Sequence, residues 1–336
     1  MFVLGLESSC DETSVAVIEA DRDSGKMKIC SNIVASQIDI HKLYGGVVPE
    51  IASRAHIEAI SEITEQALDC AGVKIGDIGA VAVTTHPGLI GALLVGVNFA
   101  KALSFANKIP LVPVNHIKAH VSAAYLSYED LKPPFLALVV SGGHTSFYDV
   151  VDYNTFNEIG STRDDAVGEA FDKIGRVIGM PYPSGAALDA LAGTGNPNSI
   201  KLPSPALVGD NLDFSFSGIK TATLNYINSE KQKESELCTA DIAASYTSAI
   251  VSAISKKAEM ALNRVMRGDF VIAGGVAANS HLRLALGEIC ERRGVRFMPV
   301  PLSLCGDNAA MVACSGYFEY LDNNIASTDL NASAAD

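Results

Sequence analysis

The sequence predicts an α/β protein in which two domains repeat one plan, each with a mixed β-sheet covered by helices and with a ligand cleft between the domains. The chain of 336 residues is too long for one small core and suits two domains of ordinary size. In each half, three strand-like segments come first, and alternating helical and strand-like segments follow. This repetition predicts a duplicated fold whose ligand lies between the halves.

The two domains are predicted to meet at the Lys-Pro-Pro sequence of residues 132–134, which breaks the pattern of helices and strands. The first domain is residues 1–131 and the second is residues 132–336. The second contains an insertion at about 179–237 that is rich in Pro, Gly, Asn and Ser.

The first half opens with apolar alternation that predicts three strands, FVLGLES, TSVAVIEA and KMKICSNIVAS. The segment RAHIEAISEITEQALDCAG predicts a helix with Ile57, Ile60, Ile63 and Ala67 on its apolar face and Gly72 as its C-cap. The strand AVAVTT, the apolar helix LIGALLVGVNFAKALSF, the strand LVPV and the helical NHIKAHVSAAYL follow.

The second half starts the same order again with the strands FLALVVS, TSFYDVVD and FNEIGS. The segment DDAVGEAFDKIGRVIG predicts a helix, in which Asp165, Glu169 and Asp172 share a face. Asp164 and Asp165 are predicted to be solvated charges that suit the start of this helix. The remaining segments predict a long helix, DIAASYTSAIVSAISKKAEMALNRV, and then the strand FVIAG, the helix HLRLALGEICERRG, the strand RFMPVP and the helix DNAAMVACSGYFEYL.

Composition and charge narrow the class of protein. Apolar residues make up 48% of the chain and charged residues 19%, which is typical of a globular protein. The seven cysteines form no C-x-x-C pair, and the N-terminus does not resemble a signal peptide, so we predict reduced thiols in a cytoplasmic protein. Asn98 and Lys101 interrupt the most apolar segment, which predicts a core helix and no membrane association.

The net charge of −13 argues against a broad surface that coats nucleic acid. Two explanations remain open if the partner is an RNA. Local basic clusters can contact phosphates, and the candidates are Lys220, Lys256-Lys257 and Arg292-Arg293. Alternatively, a partner protein supplies part of the basic surface.

Three glycine-rich turns fall where strands deliver the chain to the predicted cleft: HPGLIG (86–91), VVSGGHT (139–145) and AGGVAAN (273–279). Glycine lets backbone N–H groups approach a phosphate, and a helix N-terminus favours its negative charge. None of the three contains a GxGxxG fingerprint or a P-loop lysine, so a plain turn is the alternative for each. Their equivalent places in the two halves favour nucleotide binding.

His116 and His120 stand four residues apart in NHIKAH, which on a helix puts both imidazoles on one face at the spacing of a two-histidine metal site. A zincin protease needs H-E-x-x-H, but here Ile117 takes the position of the catalytic glutamate. A metal site needs at least one more ligand, and Asp307, at a predicted helix start in LCGDNAAM, is a candidate. Two structural or solvated histidines are the alternative.

Nine segments, in this order, resemble the TsaD family (Gcp; Kae in archaea and eukaryotes): LGLESSCDET, YGGVVPE, PGLIGALLVG, NHIKAH, VSGGHTS, DDAVGEAFDKIGR, FSFSGIKT, GGVAAN and CGDNAAM. The resemblance spans nearly the whole chain. The family belongs to the ASKHA superfamily of actin, Hsp70 and sugar kinases, so the resemblance implies two ribonuclease-H-like domains.

The resemblance implies a transferase that moves a threonylcarbamoyl group from threonylcarbamoyl-AMP to the exocyclic amine of the adenosine beside the anticodon. The implied substrates are tRNAs that read codons starting with A, and AMP is the leaving group. The stretches YGGVVPE and LDFSFSGIKT resemble the bacterial branch. They imply a TsaB-type paralogue bound through the N-terminal helices, a TsaE-type ATPase, and a TsaC-type enzyme that supplies threonylcarbamoyl-AMP.

The family's functional positions fall on residues of three kinds. The resemblance implies that His116, His120 and Asp307 bind one divalent metal ion, Fe²⁺ in preference to Zn²⁺. It also implies an electrostatic or catalytic role for Asp11. Contacts with the adenine nucleotide and substrate are implied for Val139, Val140, Ser141, Gly142, Gly143, Asp172, Gly185, Asp189 and Asn279.

Three departures from the family's usual motifs are expected to alter kinetics without removing the ligands. His86 replaces the first glycine of Gly-Pro-Gly-Leu, and Gly306 replaces the threonine of Cys-Thr-Asp-Asn. In the usual Tyr-Pro-Gly-Gly-Pro, Ser184 replaces the first glycine and Ala186 the last proline.

Three other functions stay open at this point. An ASKHA-type ATP-binding protein or ATPase without tRNA chemistry suits the glycine turns but not the metal triad. A glycoprotein endopeptidase lacks support because H-E-x-x-H is missing. A scaffold subunit of the kind formed by the family's inactive paralogue lacks the metal ligands, which this chain keeps.

Overall fold

The computed structural model describes residues 1–22, 24–203, 210–234 and 236–335. It divides the chain into two compact units: Met1–Lys132 with Val300–Asp336, and Pro133–Pro299. Residues 204–209 and 235 of the predicted insertion lie outside the described residues.

Each unit contains a five-stranded mixed sheet, and the two sheets follow the same plan. The first has the order β3-β2-β1-β4-β5 and consists of Phe2–Glu7, Glu12–Ala20, Met27–Ser36, Ile78–His86 and Leu111–Asn115 for β1 to β5. The second has the order β10-β9-β6-β7-β8 and consists of Phe135–Val140, Thr145–Val150, Phe156–Ser161, Asp269–Ala273 and Arg296–Pro299 for β6 to β10. In both, three successive strands pair antiparallel and two later strands add in parallel, which confirms the predicted duplication of mixed sheets.

Helices cover these sheets. The first unit has α1 to α4, at Ile38–His41, Pro49–Ala71, Ile90–Asn107 and His116–Ser122. The second has α5 to α9, at Val167–Val177, Gly185–Ala192, Ser217–Gln232, Thr239–Val265 and Ser280–Arg293. The chain then returns to the first unit with α10 and α11, at Leu302–Cys305 and Ala309–Leu321.

The first sheet is buried on both faces. On one face, Leu4, Leu6 and Val15 pack with Ile60 of α2 and Val97 of α3 in a core cluster. On the other face lies α11, which approaches so closely that a Cβ added to Gly5 of β1 would stand 2.2 Å from the Ala309 carbonyl oxygen. Glycine is required at this point because any side chain would push α11 off the sheet.

The C-terminal segment differs from the predicted division of the chain. Residues 300–336 were predicted to belong to the second domain, but Val300–Asp336 clusters with the first unit. The physical reason is that α11 covers the face of the first sheet that α2 and α3 leave open, with a Cβ added to Gly316 only 2.3 Å from the Ala82 Cβ. The packing of α11 on the first sheet is a long-range contact, which the local alternation of helices and strands in the sequence does not reveal.

Helices α2 and α5 differ from prediction in three details: both begin at other residues, and one predicted core residue is exposed. Helix α2 begins earlier, with Pro49 in its first turn, where the missing N–H of proline is tolerated. Ile57 is 64% exposed, because His56 takes the buried position of that helical turn. Helix α5 begins at Val167, so Asp164 and Asp165 precede it.

Among the described residues, α3 is the one helix long and apolar enough to cross a membrane by length and composition. It packs against the first sheet through Val97 and Ala100, with Phe99 and Leu103 beside them. Only 28% of this helix is buried, so it covers the sheet with one face and is not the buried core helix that the sequence predicted.

Candidate metal centre

The two histidines of NHIKAH lie where β5 passes directly into α4. The side-chain oxygen of Asn115 accepts hydrogen bonds from the backbone N–H groups of Ile117 at 2.8 Å and Lys118 at 3.0 Å, so it caps the helix. The helix therefore begins at the first residue after the strand, which places His116 and His120 on successive turns. Their ring centroids are 4.6 Å apart, as the i,i+4 spacing predicted.

Asp307 is held in the connection between α10 and α11. The side-chain oxygen of Asn308 accepts from the Met311 N–H at 3.1 Å and caps α11, while its amide donates to the Gly306 carbonyl at 2.9 Å. The Ala309 N–H donates to the Ser14 hydroxyl of β2 at 2.9 Å. These bonds fix the start of α11 against the sheet, and Asp307 with it.

His116, His120 and Asp307 converge on one point. Asp307 Oδ1 lies 3.6 Å from His116 Nε2 and 3.2 Å from His120 Nε2, and one ligand atom from each residue falls within 4.8 Å of the others. Two ligands about 2.1 Å from one ion stand roughly 3.0 to 3.5 Å apart, so these separations fit ligands that share an ion. The structure thus brings together the three predicted ligands in a group able to hold a metal ion.

The hydrogen bonding of His120 supports this interpretation. Its side chain is 1% exposed, yet within the described part of the chain neither ring nitrogen has a hydrogen-bond partner. The contact to Asp307 is short, but it is not aligned as a hydrogen bond requires. A buried imidazole without hydrogen bonds is unfavourable, and a metal ion between Nε2 and the carboxylate would satisfy both groups.

Two other buried histidines of the same unit provide the contrast. His41 contacts Gln37 Oε1 at 3.1 Å through Nε2 and accepts from the Val48 N–H at 3.3 Å. His56 contacts the Thr13 hydroxyl at 2.7 Å and the Cys10 carbonyl at 2.9 Å. These histidines use both ring nitrogens inside the protein, so they are structural.

Behind His116 lies a carboxylate, Glu7, with no side-chain exposure. Its Oε2 is 3.0 Å from His116 Nδ1. Burial raises the pKa of Glu7, but the attraction of His116 and the hydrogen bonds from His116 and Ser9 outweigh it, so the pKa is lowered overall. The prediction of site residues missed Glu7. A single carboxylate closing an otherwise apolar strand, FVLGLE, is the signal that would have found it.

Further acidic groups surround the triad on the β1–β2 connection. Burial, together with the charges of Asp307 and Asp11, raises the pKa of Glu12 to about 9. Burial and the same two carboxylates raise the pKa of the Cys10 thiol, so this thiol is neutral. The first unit therefore gathers several carboxyl groups at one place, an arrangement that a cation would stabilise.

In the second unit, the predicted nucleotide residues Val139, Val140, Ser141, Gly142 and Gly143 end β6 and begin the turn to β7. Strand β9 runs parallel beside β6, and a Cβ added to Gly274 would stand 2.4 Å from the Val140 carbonyl oxygen. The Gly168 N–H at the start of α5 donates to the Ser141 carbonyl at 3.1 Å. These turns lie together at the carboxyl edge of the second sheet, where open α/β sheets bind ligands.

The remaining predicted binding residues are already engaged with nearby backbone. Asp172 accepts from the Ser184 N–H at 2.7 Å, next to Gly185 at the start of α6. Asp189 accepts from the Ser280 N–H at 3.0 Å and contacts His281 Nδ1 at 2.8 Å. Asn279 caps α9 by accepting from the Leu282 N–H at 2.8 Å. Their roles in binding stay predictions.

Asp164 is exposed, as the sequence predicted, but Asp164 and Asp165 precede helix α5 and both carboxylates are held within the chain. Asp164 accepts hydrogen bonds from the hydroxyls of Ser215 and Ser217 and from the Phe216 N–H at 2.8 Å. Asp165 pairs with Lys220 and, at 2.8 Å, with Lys173. The reason is that α5 begins after them, which leaves both carboxylates to hold the 215–220 segment.

Comparison with known proteins places these observations in a family. The sequence profile of TsaD, described as tRNA N6-adenosine threonylcarbamoyltransferase, matches residues 28–314. A tRNA N6-adenosine threonylcarbamoyltransferase of Clostridium perfringens is 50% identical over 331 residues, which cover 98% of this chain and 96% of the relative.

Two solved structures share the fold at low sequence identity. Full-length HypF in its phosphate- and nucleotide-bound form has a TM-score of 0.61 and 14% identity, over 100% of this chain and 47% of HypF. Component A of the (R)-2-hydroxyglutaryl-CoA dehydratase of Acidaminococcus fermentans has a TM-score of 0.55 and 16% identity, over 96% of this chain and 99% of that protein. These matches agree with the duplicated actin-like fold.

Proposed function

We propose a metal-assisted reaction for this chain, which belongs to the TsaD family of tRNA N6-adenosine threonylcarbamoyltransferases. In this reaction, the protein transfers a threonylcarbamoyl group to the N6 amine of a tRNA adenosine with the help of a metal ion. The ion would be held by His116, His120 and Asp307. The observation that carries this proposal is the buried His120, whose ring nitrogens have no hydrogen-bond partner among the described residues, beside the carboxylate of Asp307.

Fe²⁺ is the ion we propose, with Zn²⁺ as the alternative. Two histidines and one carboxylate that leave coordination positions open are the donor set of many non-haem iron(II) sites. The same donors also suit a catalytic zinc ion, which keeps one position for water or substrate. When bound, either ion would supply a Lewis acid that polarises the carbonyl oxygen of the threonylcarbamoyl group.

Around that ion, the chain's own residues bind and orient the reactants. The exocyclic amine of adenine is a poor nucleophile, so positioning carries much of the rate. We assign Asp11 an electrostatic or catalytic role toward this amine, because Asp11 contributes to the acidic cluster that raises the pKa of Glu12. A carboxylate that acts as a general base contributes about 10²- to 10⁴-fold in rate.

Threonylcarbamoyl-AMP is the proposed donor, and tRNAs that read codons starting with A are the proposed acceptors. The adenylate would bind in the second unit, at the turns that follow Val140 and Gly274 and beside Asn279. The support is that these turns share the carboxyl edge of one sheet and that α9 begins there, so its N-terminal N–H groups favour a phosphate.

A TsaB-type paralogue is the proposed partner of the first unit. The α1–α2 region exposes apolar side chains that the unit itself does not cover: Leu43 is 82% exposed, Ile57 64% and Tyr44 59%. A TsaE-type ATPase and a TsaC-type enzyme that supplies threonylcarbamoyl-AMP complete the proposed system, in the cytoplasm.

Nucleoside mass spectrometry tests the proposal. An unmodified tRNA that reads an A-starting codon is incubated with threonylcarbamoyl-AMP, this protein and its paralogue partners. We expect threonylcarbamoyladenosine with the wild type and at least a hundredfold less with His116→Ala/His120→Ala. Steady ATP hydrolysis that ignores tRNA, without any modified nucleoside, would instead support an ATPase without tRNA chemistry.

A further inference from the structure

We infer that Glu7 is the positioning residue of the metal centre: its carboxylate holds the proton of His116 on Nδ1 and so presents the lone pair of Nε2 to the ion. This inference rests on the proposed metal centre and deepens it. Glu7 lies at the end of β1 and is fully buried, and its Oε2 is 3.0 Å from His116 Nδ1.

The geometry fixes the tautomer of His116. An ionised carboxylate only accepts hydrogen bonds, so the contact is favourable only if Nδ1 carries the proton. In the other tautomer, the lone pair of Nδ1 would face the carboxylate. The Ser9 hydroxyl, 3.2 Å from the same nitrogen, can accept or donate and so does not decide between the two.

The surroundings of Glu7 keep its carboxylate in one orientation. The Thr84 hydroxyl of the neighbouring β4 donates to Oε2 at 2.7 Å, and the Ser9 N–H donates to Oε1 at 2.6 Å. Both oxygens therefore accept from fixed donors on two adjacent elements, and Oε2 still reaches His116. Such an anchored carboxylate behind a metal-binding histidine orients the ring and raises its basicity.

Charge balance gives the arrangement a second reason. A fully buried carboxylate is unfavourable unless a cation or strong donors compensate it. Asp307 would supply one negative charge to a bound divalent ion, and Glu7 would supply another through the imidazole of His116. The ion would in turn compensate the buried charge of Glu7.

The chain offers matched variants. Glu7→Gln keeps the shape but places an amide N–H₂ against one of the three donors. Thr84→Val removes one hydroxyl that holds Glu7. Thr13→Val is the control, because Thr13 is an equally buried strand threonine whose hydroxyl contacts His56 and not the metal centre.

Metal affinity is the first readout, measured with Zn²⁺ and Co²⁺ alone against a competing chelator. We expect Glu7→Gln to weaken both affinities by about 10- to 100-fold and Thr84→Val by several-fold, while Thr13→Val stays within about twofold. The melting temperature of each metal-free protein is measured alongside. A purely structural Glu7 would lower that temperature while leaving the affinity of the folded protein unchanged, and that result would overturn the inference.

A second readout uses the unaltered protein and decides the matter even where Glu7→Gln does not fold. Nitrogen NMR of histidine side chains in the metal-free wild type should show His116 with its proton already on Nδ1, since zinc on Nε2 would itself impose that tautomer. A proton on Nε2 would overturn the inference. If the wild type binds neither Zn²⁺ nor Co²⁺, the proposed metal centre falls and this inference with it, whereas metal binding that Glu7→Gln does not weaken removes only the role of Glu7.

Discussion

Single residues decide whether NHIKAH is a metal site. The sequence predicted His116, His120 and Asp307, because the i,i+4 spacing and the motif around Asp307 are local features. It did not predict Glu7, since only the pairing of β1 with β4 and the approach of α4 bring the carboxylate to His116. Ligands in a motif are readable from sequence, whereas groups that orient them depend on tertiary contacts.

The departures from the family's usual motifs affect the binding loops and not the ligands. Ser184 is 1% exposed, its hydroxyl donates to the Pro181 carbonyl at 3.0 Å, and its N–H holds Asp172. His86 contacts the Thr85 hydroxyl at 2.8 Å. We predict that Ser184→Gly and His86→Gly change the KM for threonylcarbamoyl-AMP more than kcat, because these side chains shape loops and do not hold reacting atoms.

Steady-state kinetics of threonylcarbamoyladenosine formation check this prediction. Gly76→Ala is the control, because a Cβ at Gly76 meets no atom within 4 Å and this residue lies in none of the predicted binding loops, so both constants should stay unchanged. An inactive wild type that the two glycine reversions rescue would overturn the view that the departures are kinetic adjustments.

The position of Asp307 depends on how α11 lies on the first sheet. We predict that Gly5→Ala destabilises the protein by about 1–3 kcal/mol or more, because the new Cβ would meet the backbone of Ala309 at 2.2 Å and of Ala313 at 2.7 Å. Urea unfolding measures the free energy, and zinc affinity should fall with it. Gly76→Ala, where nothing lies within 4 Å, is the matched control and should be neutral. Equal stability of both variants would show that α11 is free to shift.

Asp164, an exposed carboxylate that precedes α5, holds the 215–220 segment through hydrogen bonds. Burial raises the pKa of Asp164, but hydrogen bonds from Ser215, Phe216 and Ser217 lower it by more than burial raises it. The pKa is therefore below its ordinary value. A carboxyl whose pKa is lower in the folded protein stabilises the fold above its ordinary value of 3.8 and loses that contribution as the pH falls through the folded pKa.

We therefore predict that Asp164→Asn destabilises the protein by about 1 kcal/mol at neutral pH, a small value because this carboxylate is largely exposed. The difference from wild type should shrink as the pH falls below about 4. Urea unfolding at several pH values measures it, with the exposed helix residue Glu58→Gln as the control. A difference that stays constant down to low pH would mean that the hydrogen bonds do not depend on ionisation.

For the protein as a whole, the repeated order of elements was enough to predict two mixed sheets. The return of Val300–Asp336 to the first unit was not predictable, because nothing in the local sequence states which sheet a C-terminal helix covers. The family resemblance was readable from the motifs, and the comparisons confirm it.

The net negative charge of the protein affects how an RNA would bind. The basic residues suggested as local RNA contacts are engaged within the chain: Lys220 pairs with Asp165, Arg292 with Glu259, and Lys257 donates to the Asn211 carbonyl. The net charge of −13 leaves both explanations open, because an exposed ion pair such as that of Arg292 is weak enough to be exchanged for a phosphate contact.

We predict that Leu43→Asp combined with Ile57→Asp weakens association with the TsaB-type paralogue at least tenfold, because two exposed apolar side chains of the α1–α2 region would become charged. Light scattering after gel filtration measures the complex. Leu284→Asp is the control, since Leu284 is 65% exposed but belongs to α9 of the other unit. Association that survives the double change would place the partner on another surface.

The most direct measurement is a metal titration of the transfer reaction. Metal-free protein receives increasing equivalents of Fe²⁺ without oxygen, and threonylcarbamoyladenosine in the tRNA is quantified at each step. For the wild type and for His41→Gln, a change at a structural histidine, we expect activity that rises to a plateau at about one ion per chain. For His120→Ala we expect no rise at that concentration. Full activity in the metal-free wild type, or an equal response from His120→Ala, would show that the ion bound by His120 is not needed for the transfer.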